Sequence, residues 1–167
     1  PPAPAPPRAA SQKHRPLGRI ILDNLLGAGF DRERLYVVHP DAASIDGARC
    51  VSNVSDLPEK VDLFVVAVAA DRVEPVINDL IEHDKAETVI LIPGGIGEKQ
   101  GSKGLETELM ERIREAHLAE GGGPLFLGGN SLGVISRPGN YDTMFIPERK
   151  LPSLGEGKPQ KLCFISQ

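Results

Sequence analysis

The chain has 167 residues, which suits one domain with tails. Its net charge of −4 does not indicate the basic surface that nucleic-acid binding needs. Its longest apolar run, residues 63–70, is far shorter than the roughly 20 residues that cross a membrane. The beginning of the chain lacks the apolar core of a signal peptide, so we expect a cytoplasmic protein that binds neither membranes nor nucleic acid.

The first predicted elements are a proline-rich tail, an amphipathic helix and a short strand. Residues 1–8 contain five prolines and cannot pair as an inner strand, so we expect an extended linker or tail there. Helical spacing predicts a helix over residues 17–28 that Gly29 caps. The stripe at this spacing consists of Leu17, Ile20, Ile21, Asn24, Leu25 and Ala28. The sequence RLYVVHP then predicts a strand that ends at Pro40.

A longer apolar strand and a second helix follow. Residues 62–68, DLFVVAV, are apolar on both faces, as in the middle of a parallel sheet. The next stretch, DRVEPVINDLIEHD, predicts a helix in which Asp71 and Glu74 form a capping box. The sequence ETVILI predicts a third strand over residues 87–92. Strand and helix therefore alternate through this part of the chain.

The alternation continues to a fourth strand. A third helix is predicted over residues 103–119, capped by Ser102 and ended by Gly121–Gly123. Its buried stripe would consist of Leu105, Leu109, Ile113 and Ala116. The sequence PLFLG then predicts another strand. Strands and helices that alternate with short links predict an α/β fold with a doubly wound parallel sheet.

Small residues follow every predicted strand. Right-handed crossovers place the carboxyl ends of parallel strands along one edge, and ligands bind outside that edge. The segments there are HPDAAS (39–44), AAD (69–71), PGGIGEKQG (93–101) and GGNSLG (128–133). Their backbone N–H groups, with the helix N-termini beside them, can hold phosphate oxygens. We interpret the edge as a ligand site, although a role in turns stays the alternative for each single loop.

No motif in the chain indicates catalytic chemistry. The GAG at 27–29 follows a helix, so it is not a dinucleotide fingerprint, and GEKQGS at 97–102 lacks the order of a P-loop. Ser131 misses the G-x-S-x-G pattern by one position. The histidines and cysteines show no metal-ligand spacing. The sequence therefore predicts binding, with no catalytic residue and no metal ligand in this chain.

The order of these loops resembles the CoA-binding domain of the NDP-forming acyl-CoA synthetases, which include the succinyl-CoA synthetase α subunit and the ADP-forming acetyl-CoA synthetases. The stretch AASQKHRPLGRIILDNLLGAGF resembles the family's Gly-Ala-Ser loop and first helix, and YVVHP its Val-Asn-Pro strand end. The stretch DGARCVSNVSDLPEKVDLFVVAVAA resembles a short strand, a proline-containing turn and the strand that ends in Val-Pro-Ala. LIPGGIGE resembles the Ser-Ala-Gly-Phe or Thr-Glu-Gly-Ile turn. The most specific match, LGGNSLGVISRPGNYDTMFIP, resembles Gly-Pro-Asn-Cys-Leu-Gly-Val and the loop after it.

The resemblance implies a Rossmann-like domain in which CoA lies across the strand ends. By position, Ser11 and Gln12 would meet the phosphate region of CoA. The nucleotide part would be flanked by His39, Pro40, Val68, Ala69 and Ala70. The pantetheine path would be lined by Pro93, Gly94, Gly95 and Ile96. Asn130 would orient the loop near the reactive end, where Gly129 leaves room.

The chain departs from the family pattern in four ways. The family has a strand before the Gly-Ala-Ser loop, where this chain has its proline-rich stretch, so we expect either that the first strand is missing or that residues were lost between the tail and Ala9. Ala9 replaces the glycine of that loop, and Ser131 replaces the cysteine of Asn-Cys. Asp41 stands where a lysine often pairs with phosphate. The replacement charge would come from Lys13 or Arg15.

The resemblance also implies a domain organisation and an activity. Residues 1–8 would be a linker or tail, 9–150 the CoA-binding domain, and 151–167 a linker and the first strand of a flavodoxin-like domain. The complete enzyme would join a small carboxylic acid to CoA and would cleave ATP or GTP, with Mg²⁺, to NDP and phosphate. The phosphorylated catalytic histidine and the nucleotide-binding domain would lie in other domains or subunits of an oligomeric ligase.

Two other functions stay open at this point. One is a regulatory CoA-binding domain of the kind fused to a protein acetyltransferase. The other is an NAD-binding redox-sensing domain, for which Asp41 lies near the expected acidic position although the glycine fingerprint is missing.

Overall fold

The computed structural model describes residues 16–95 and 103–146. Its helices are α1 (Leu17–Gly27), α2 (Val73–His83) and α3 (Lys103–Leu118). Its strands are β1 (Tyr36–Val38), β2 (Ser44–Ile45), β3 (Ala48–Val51), β4 (Val61–Val66), β5 (Ala86–Leu91), β6 (Leu125–Leu127), β7 (Ile135–Ser136) and β8 (Tyr141–Asp142). Short 3-10 turns cover Arg32–Arg34, Val54–Asp56 and Ala70–Arg72. None of these helices is long and apolar enough to cross a membrane.

A parallel sheet of β4, β5 and β6 forms the centre of the fold. Val61 pairs with Ala86 at one end of the β4–β5 ladder, and Val66 pairs with Leu91 at the other. Strand β6 joins β5 through Thr88 and Leu125. Both connections within this sheet pass through a helix, α2 between β4 and β5 and α3 between β5 and β6, as the alternating pattern predicts. The predicted α/β class with a parallel sheet is confirmed.

Two smaller sheets flank the central one. Strand β1 pairs in parallel with β3, and β2 closes a tight hairpin with β3. Strands β7 and β8 form an antiparallel hairpin, with Ile135 opposite Asp142. Both hairpins contain strands of only two residues. Such short strands lie below the length at which alternation is recognisable, so the sequence did not predict them.

Helices cover both faces of the central sheet. Because side chains alternate along a strand, Val89 and Leu91 point to one face, and Ile90 and Ile92 point to the other. The first face carries Val73, Ile77 and Leu80 of α2 with Leu109 and Ile113 of α3. The second face carries Ile21 and Leu25 of α1, with Val134, Tyr141 and Phe145 around the last hairpin. This two-sided cover is the doubly wound arrangement.

The predicted helix ends are only partly correct. Gly29, with φ 82°, follows the α1 cap residue Ala28, and Phe30 N–H donates to Leu25 O at 3.1 Å, so the glycine reverses the chain as expected. The predicted capping box of Asp71 and Glu74 is wrong. Helix α2 begins at Val73, after a 3-10 turn, and no side chain caps it.

The predicted stripe of α3 is correct where it is described. Leu109 and Ile113 are buried, and Ala116 is half-buried. Ser102 and the side chain of Leu105 lie outside the described part of the structure.

The expectation that the strand at 62–68 lies in the middle of a sheet stays a prediction, because the segment before residue 16 lies outside the described range. Strand β4 ends at Val66 and, among the described residues, forms a ladder only with β5, and its Leu63, Phe64 and Val65 are half-buried. Strand β1 has its only described ladder with β3, so within the described residues no ladder joins this mixed sheet to the central parallel sheet. The predicted lack of a first strand concerns residues before 16, outside the described range, and stays a prediction.

Candidate functional site

Three strand ends form one edge of the central sheet. Beyond the ladders, Ile92 N–H donates to Val66 O at 3.0 Å, so β4 and β5 stay paired as they leave the sheet. Ser131 N–H donates to Leu91 O at 3.2 Å, which joins the segment after β6 to the end of β5. The segments that follow β4, β5 and β6 are therefore neighbours, as predicted from the parallel order of the strands.

Asn130 lies against the backbone of Gly94 at this edge. Asn130 N–H donates to Pro93 O at 3.0 Å, and Asn130 has a left-handed φ of 62°. A Cβ atom placed on Gly94 would lie 3.1 Å from Asn130 Oδ1, tighter than most real contacts. The bare backbone of Gly94 therefore makes room for the Asn130 carboxamide. Two of the four predicted ligand loops meet here.

The segment after β4 is lined by small residues. Val68 packs against the core, whereas Ala69 is exposed and its carbonyl oxygen accepts from Arg72 N–H at 2.9 Å. A Cβ on Gly18 would lie 3.9 Å from Ala67 Cβ, so the first turn of α1 stands beside the end of β4. The first N–H groups of a helix lack intrahelical partners and are suited to bind anions. No sequence pattern indicated Gly18 as part of this edge.

His39 and Pro40 follow the end of β1, in the mixed sheet of β1, β3 and β2. His39 N–H donates to Val51 O at 2.9 Å, and His39 Nδ1 accepts from Asp41 N–H at 3.2 Å. These bonds hold His39 to its own sheet. Arg34, before β1, pairs with Asp62 of β4 at 3.5 Å, so both strands begin on the same side of the molecule. The structure gives His39 and Pro40 no described hydrogen bond to the Gly94–Asn130 pair.

Three predicted site residues, Ser11, Gln12 and Ile96, lie outside the described residues. The same holds for Lys13 and Arg15, the predicted sources of positive charge. Within the first turn of α1, Arg19 is already engaged, because its Nε lies 3.1 Å from Asp23 Oδ1 and its guanidinium also pairs with Asp46.

Two polar side chains behind the edge were not recognised as important. Asn24 is half-buried, and its Nδ2 donates to Met144 O and Ile146 O at 2.8 and 3.0 Å. Thr143 is 2% exposed, and its Oγ1 accepts from Val134 N–H at 2.8 Å. The available indication was an amide within the otherwise apolar stripe of the first helix, since a buried polar group needs a partner.

The edge supplies backbone amides, small side chains and one exposed carboxamide. Gly94, Gly95, Ala69 and Gly129 leave main chain accessible, and Gly95 has a φ of 77°. A long ligand that presents phosphates and amides can lie across such a surface. Fold and edge together define an α/β domain whose strand ends present small residues and accessible main chain.

Comparison with known proteins gives the family. A family described as CoA binding domain matches residues 9–135, which is more than half of the chain. The chain therefore belongs to the CoA-binding domain family, and the resemblance noted in the sequence is confirmed.

Curated relatives are ADP-forming ligases. The chain is 30% identical over 128 residues to acetate–CoA ligase [ADP-forming] II of Archaeoglobus fulgidus, covering 77% of this chain and 18% of the relative. It is 28% identical over 149 residues to the α subunit of acetate–CoA ligase [ADP-forming] I of Pyrococcus furiosus, covering 86% of this chain and 30% of that subunit. The chain thus spans less than a third of either relative.

A solved structure has the same fold. The dinucleotide-forming acetyl-coenzyme A synthetase 1 of Ca. Korarchaeum cryptofilum, in complex with phosphate and ADP, superposes with a TM-score of 0.66 and is 34% identical. The match covers 83% of this chain and 28% of the synthetase.

Proposed function

We propose that the chain is the CoA-binding domain of an NDP-forming acid–CoA ligase. In the complete enzyme, the CoA sulfur would attack the acyl carbon of a mixed phosphoric anhydride, and phosphate would leave as the thioester forms. The domain would hold the thiol in position for that attack, and positioning of this kind accelerates reactions. The observation that carries the proposal is the contact of Asn130 with the bare backbone of Gly94, at the strand ends of a CoA-binding family member.

The proposed binding surface runs along the edge from α1 to the loop after β6. Phosphates would meet Ser11, Gln12 and the first turn of α1, and Pro93, Gly94, Gly95 and Ile96 would line the pantetheine path. Asn130 and Gly129 would lie at the thiol end. The nucleotide part would lie against His39, Pro40, Val68, Ala69 and Ala70. Small side chains and free main-chain groups in the described part of this surface suit a ligand that approaches the backbone closely.

Other parts of the ligase would perform the remaining steps. We place the phosphorylated histidine and the site for ATP or GTP with Mg²⁺ in further domains or subunits, together with the acid pocket. Within this chain, residues 9–150 would form the CoA-binding domain, and 151–167 would lead into the next domain. The chain's partial coverage of its ligase relatives supports this division.

A calorimetric titration of CoA and NADH into the chain and its Gly94→Val variant tests the proposal. We expect CoA to bind the native chain and NADH not to bind. The valine side chain would press on Asn130 and block the path, so CoA affinity should fall at least about tenfold, equal to about 1.4 kcal/mol. Gly27→Val is the matched control, because a Cβ there meets nothing within 4 Å.

Two results would contradict the proposal. Binding of NADH without binding of CoA would reassign the domain to redox sensing. Unchanged CoA affinity in the Gly94→Val variant would mean that CoA does not bind at the strand ends.

A further inference from the structure

We propose that Asn24, on α1, is a positioning residue that holds the Asn130 loop in place for the thiol end of CoA. The inference rests on the proposed function but concerns a residue that would not touch the ligand. It depends on a continuous set of hydrogen bonds that runs from α1 through the last hairpin to the strand edge.

The first link is the Asn24 carboxamide. Its Nδ2 donates to Met144 O at 2.8 Å and to Ile146 O at 3.0 Å. A primary amide nitrogen has two hydrogens, so these two carbonyl oxygens use its whole donor capacity. An ionised aspartate at this position would have no hydrogen to donate, so its carboxylate oxygens would face the two carbonyl oxygens without a hydrogen bond. The arrangement therefore requires a neutral amide and fixes the segment 144–146 against α1.

The second link joins this segment to the residues after Asn130. Thr143 N–H donates to Val134 O at 2.9 Å, and Thr143 Oγ1 both accepts from Val134 N–H and donates to Val134 O. Phe145 N–H donates to Leu132 O at 3.3 Å. Strand β7 and the residues before it therefore cannot shift without the 143–146 segment.

The third link returns to the site. Gly133 N–H donates to Ser131 Oγ at 3.3 Å, and Ser131 and Asn130 donate their own N–H groups to Leu91 and Pro93. The loop that carries Asn130 is thus held by β5 on one side and by the last hairpin on the other. Asn24 adds two hydrogen bonds to the apolar contacts that attach that hairpin to α1.

Asn24 lies on the same helix whose first turn stands at the proposed phosphate end of the ligand surface. The first turn of α1 stands beside Ala67, at the proposed phosphate end of the ligand surface. Two turns further along the same helix, Asn24 holds the hairpin that supports the thiol end. Helix α1 would therefore set the distance between the two ends of the CoA surface.

The test compares ligands that differ at the thiol end. CoA and adenosine 3′,5′-bisphosphate, which lacks pantetheine, are titrated into the native chain, Asn24→Asp and Asn24→Ser. We expect CoA affinity to fall about tenfold in both variants, equal to about 1.4 kcal/mol, whereas bisphosphate affinity changes less than about twofold. Asn78→Asp on α2 is the matched control, because Asn78 is half-buried and Asn78 Oδ1 has no hydrogen-bond partner.

The control variant should lose stability without changing the ratio of the two affinities. An equal loss for both ligands in the Asn24 variants, or no loss at all, would overturn the inference. Amide exchange of Gly133 and Val134, measured without ligand, gives a second readout that should accelerate in the Asn24 variants but not in Asn78→Asp. If the native chain does not bind CoA, the proposed function fails. Separately, if the amide exchange of Gly133 and Val134 is the same in the Asn24 variants as in the native chain, Asn24 does not support the loop.

Discussion

At the scale of single residues, Gly133 lies where two backbone segments approach closely. Its φ is 102°, a region that side chains rarely adopt, and a Cβ there would overlap the carbonyl oxygen of Thr143. We expect Gly133→Ala to lower the free energy of unfolding by more than about 2 kcal/mol, from backbone strain and overpacking together. Urea unfolding followed by circular dichroism measures this change.

Gly27→Ala provides the control for that substitution. Gly27 has an ordinary φ and open space around its Cβ position, so alanine should be neutral or slightly stabilising at the end of α1. Equal urea midpoints for Gly133→Ala and Gly27→Ala would mean that the turn at Gly133 accommodates a Cβ atom without loss of stability.

The sequence indicated some of these residues and not others. Gly94 and Asn130 were recognisable because small and turn-forming residues after a strand suit a ligand edge. Asn24 was marked only as an amide within an apolar stripe, and the hydrogen-bond partners of Asn24 and Thr143 were not predictable because they lie 120 and 9 positions away. A hydrogen bond to a distant backbone carbonyl depends on the tertiary fold, which spacing within one helix does not specify.

At the scale of elements, Lys60 joins the beginning of β4 to the end of α2 and to β5. Its Nζ lies 2.8 Å from Asp84 Oδ1 and 3.2 Å from Glu87 Oε1. The hydrogen bond to Asp84, with a further bond to Glu87 and the charge of both carboxylates, raises the pKa of Lys60 above its usual value. Because the folded state holds this proton more tightly, the stabilisation is fully present below the ordinary lysine pKa of about 10.4.

We therefore expect Lys60→Gln to be less stable than the native chain at pH 7. The difference should vanish as the pH rises through the raised pKa of Lys60, because the native chain then loses the charge. Urea midpoints across this pH range test the expectation, and Asp84→Asn combined with Lys60→Gln should cost less than the sum of the single changes. A pH-independent difference would assign the effect to packing of the lysine chain.

Element boundaries show where local patterns fail. The order of the three described helices and the four predicted strands followed from hydrophobic spacing, and their ends agree within a few residues. The capping box at Asp71 was wrong because a 3-10 turn over Ala70–Arg72 shifts the start of α2. A box does exist at Asn53 and Asp56, at the head of a 3-10 turn between β3 and β4. The residue pattern alone does not distinguish these two places.

At the scale of the whole molecule, the last hairpin completes the core on the α1 face. Tyr141 and Phe145 pack with Ile21 and Leu25, and the Tyr141 ring meets Phe30 edge to face with centroids 6.4 Å apart. A chain that stops after Asn140 lacks these contacts and both carbonyl partners of Asn24. We expect it to lose cooperative urea unfolding, whereas a chain that stops after Lys150 should keep it. Equally cooperative urea unfolding of both shortened chains would mean that cooperative folding does not need the hairpin.

The central sheet was the most predictable feature at this scale, since three strands alternate with helices along the chain. The neighbour of β4 was not predictable from its composition, because apolar residues on both faces do not reveal which strands flank it. The partner of a strand is decided by packing between segments far apart in the chain, and the local sequence of the strand does not specify that packing.

The attachment of the earliest helix to the final hairpin also bears on how the chain folds. Residues separated by 120 positions must meet before the Asn24 amide finds its carbonyls. Closing so long a loop is entropically unfavourable, and contacts of high sequence separation slow folding. During synthesis, α1 leaves the ribosome long before the last described hairpin exists, so the part of α1 that this hairpin covers stays exposed until translation passes Ile146.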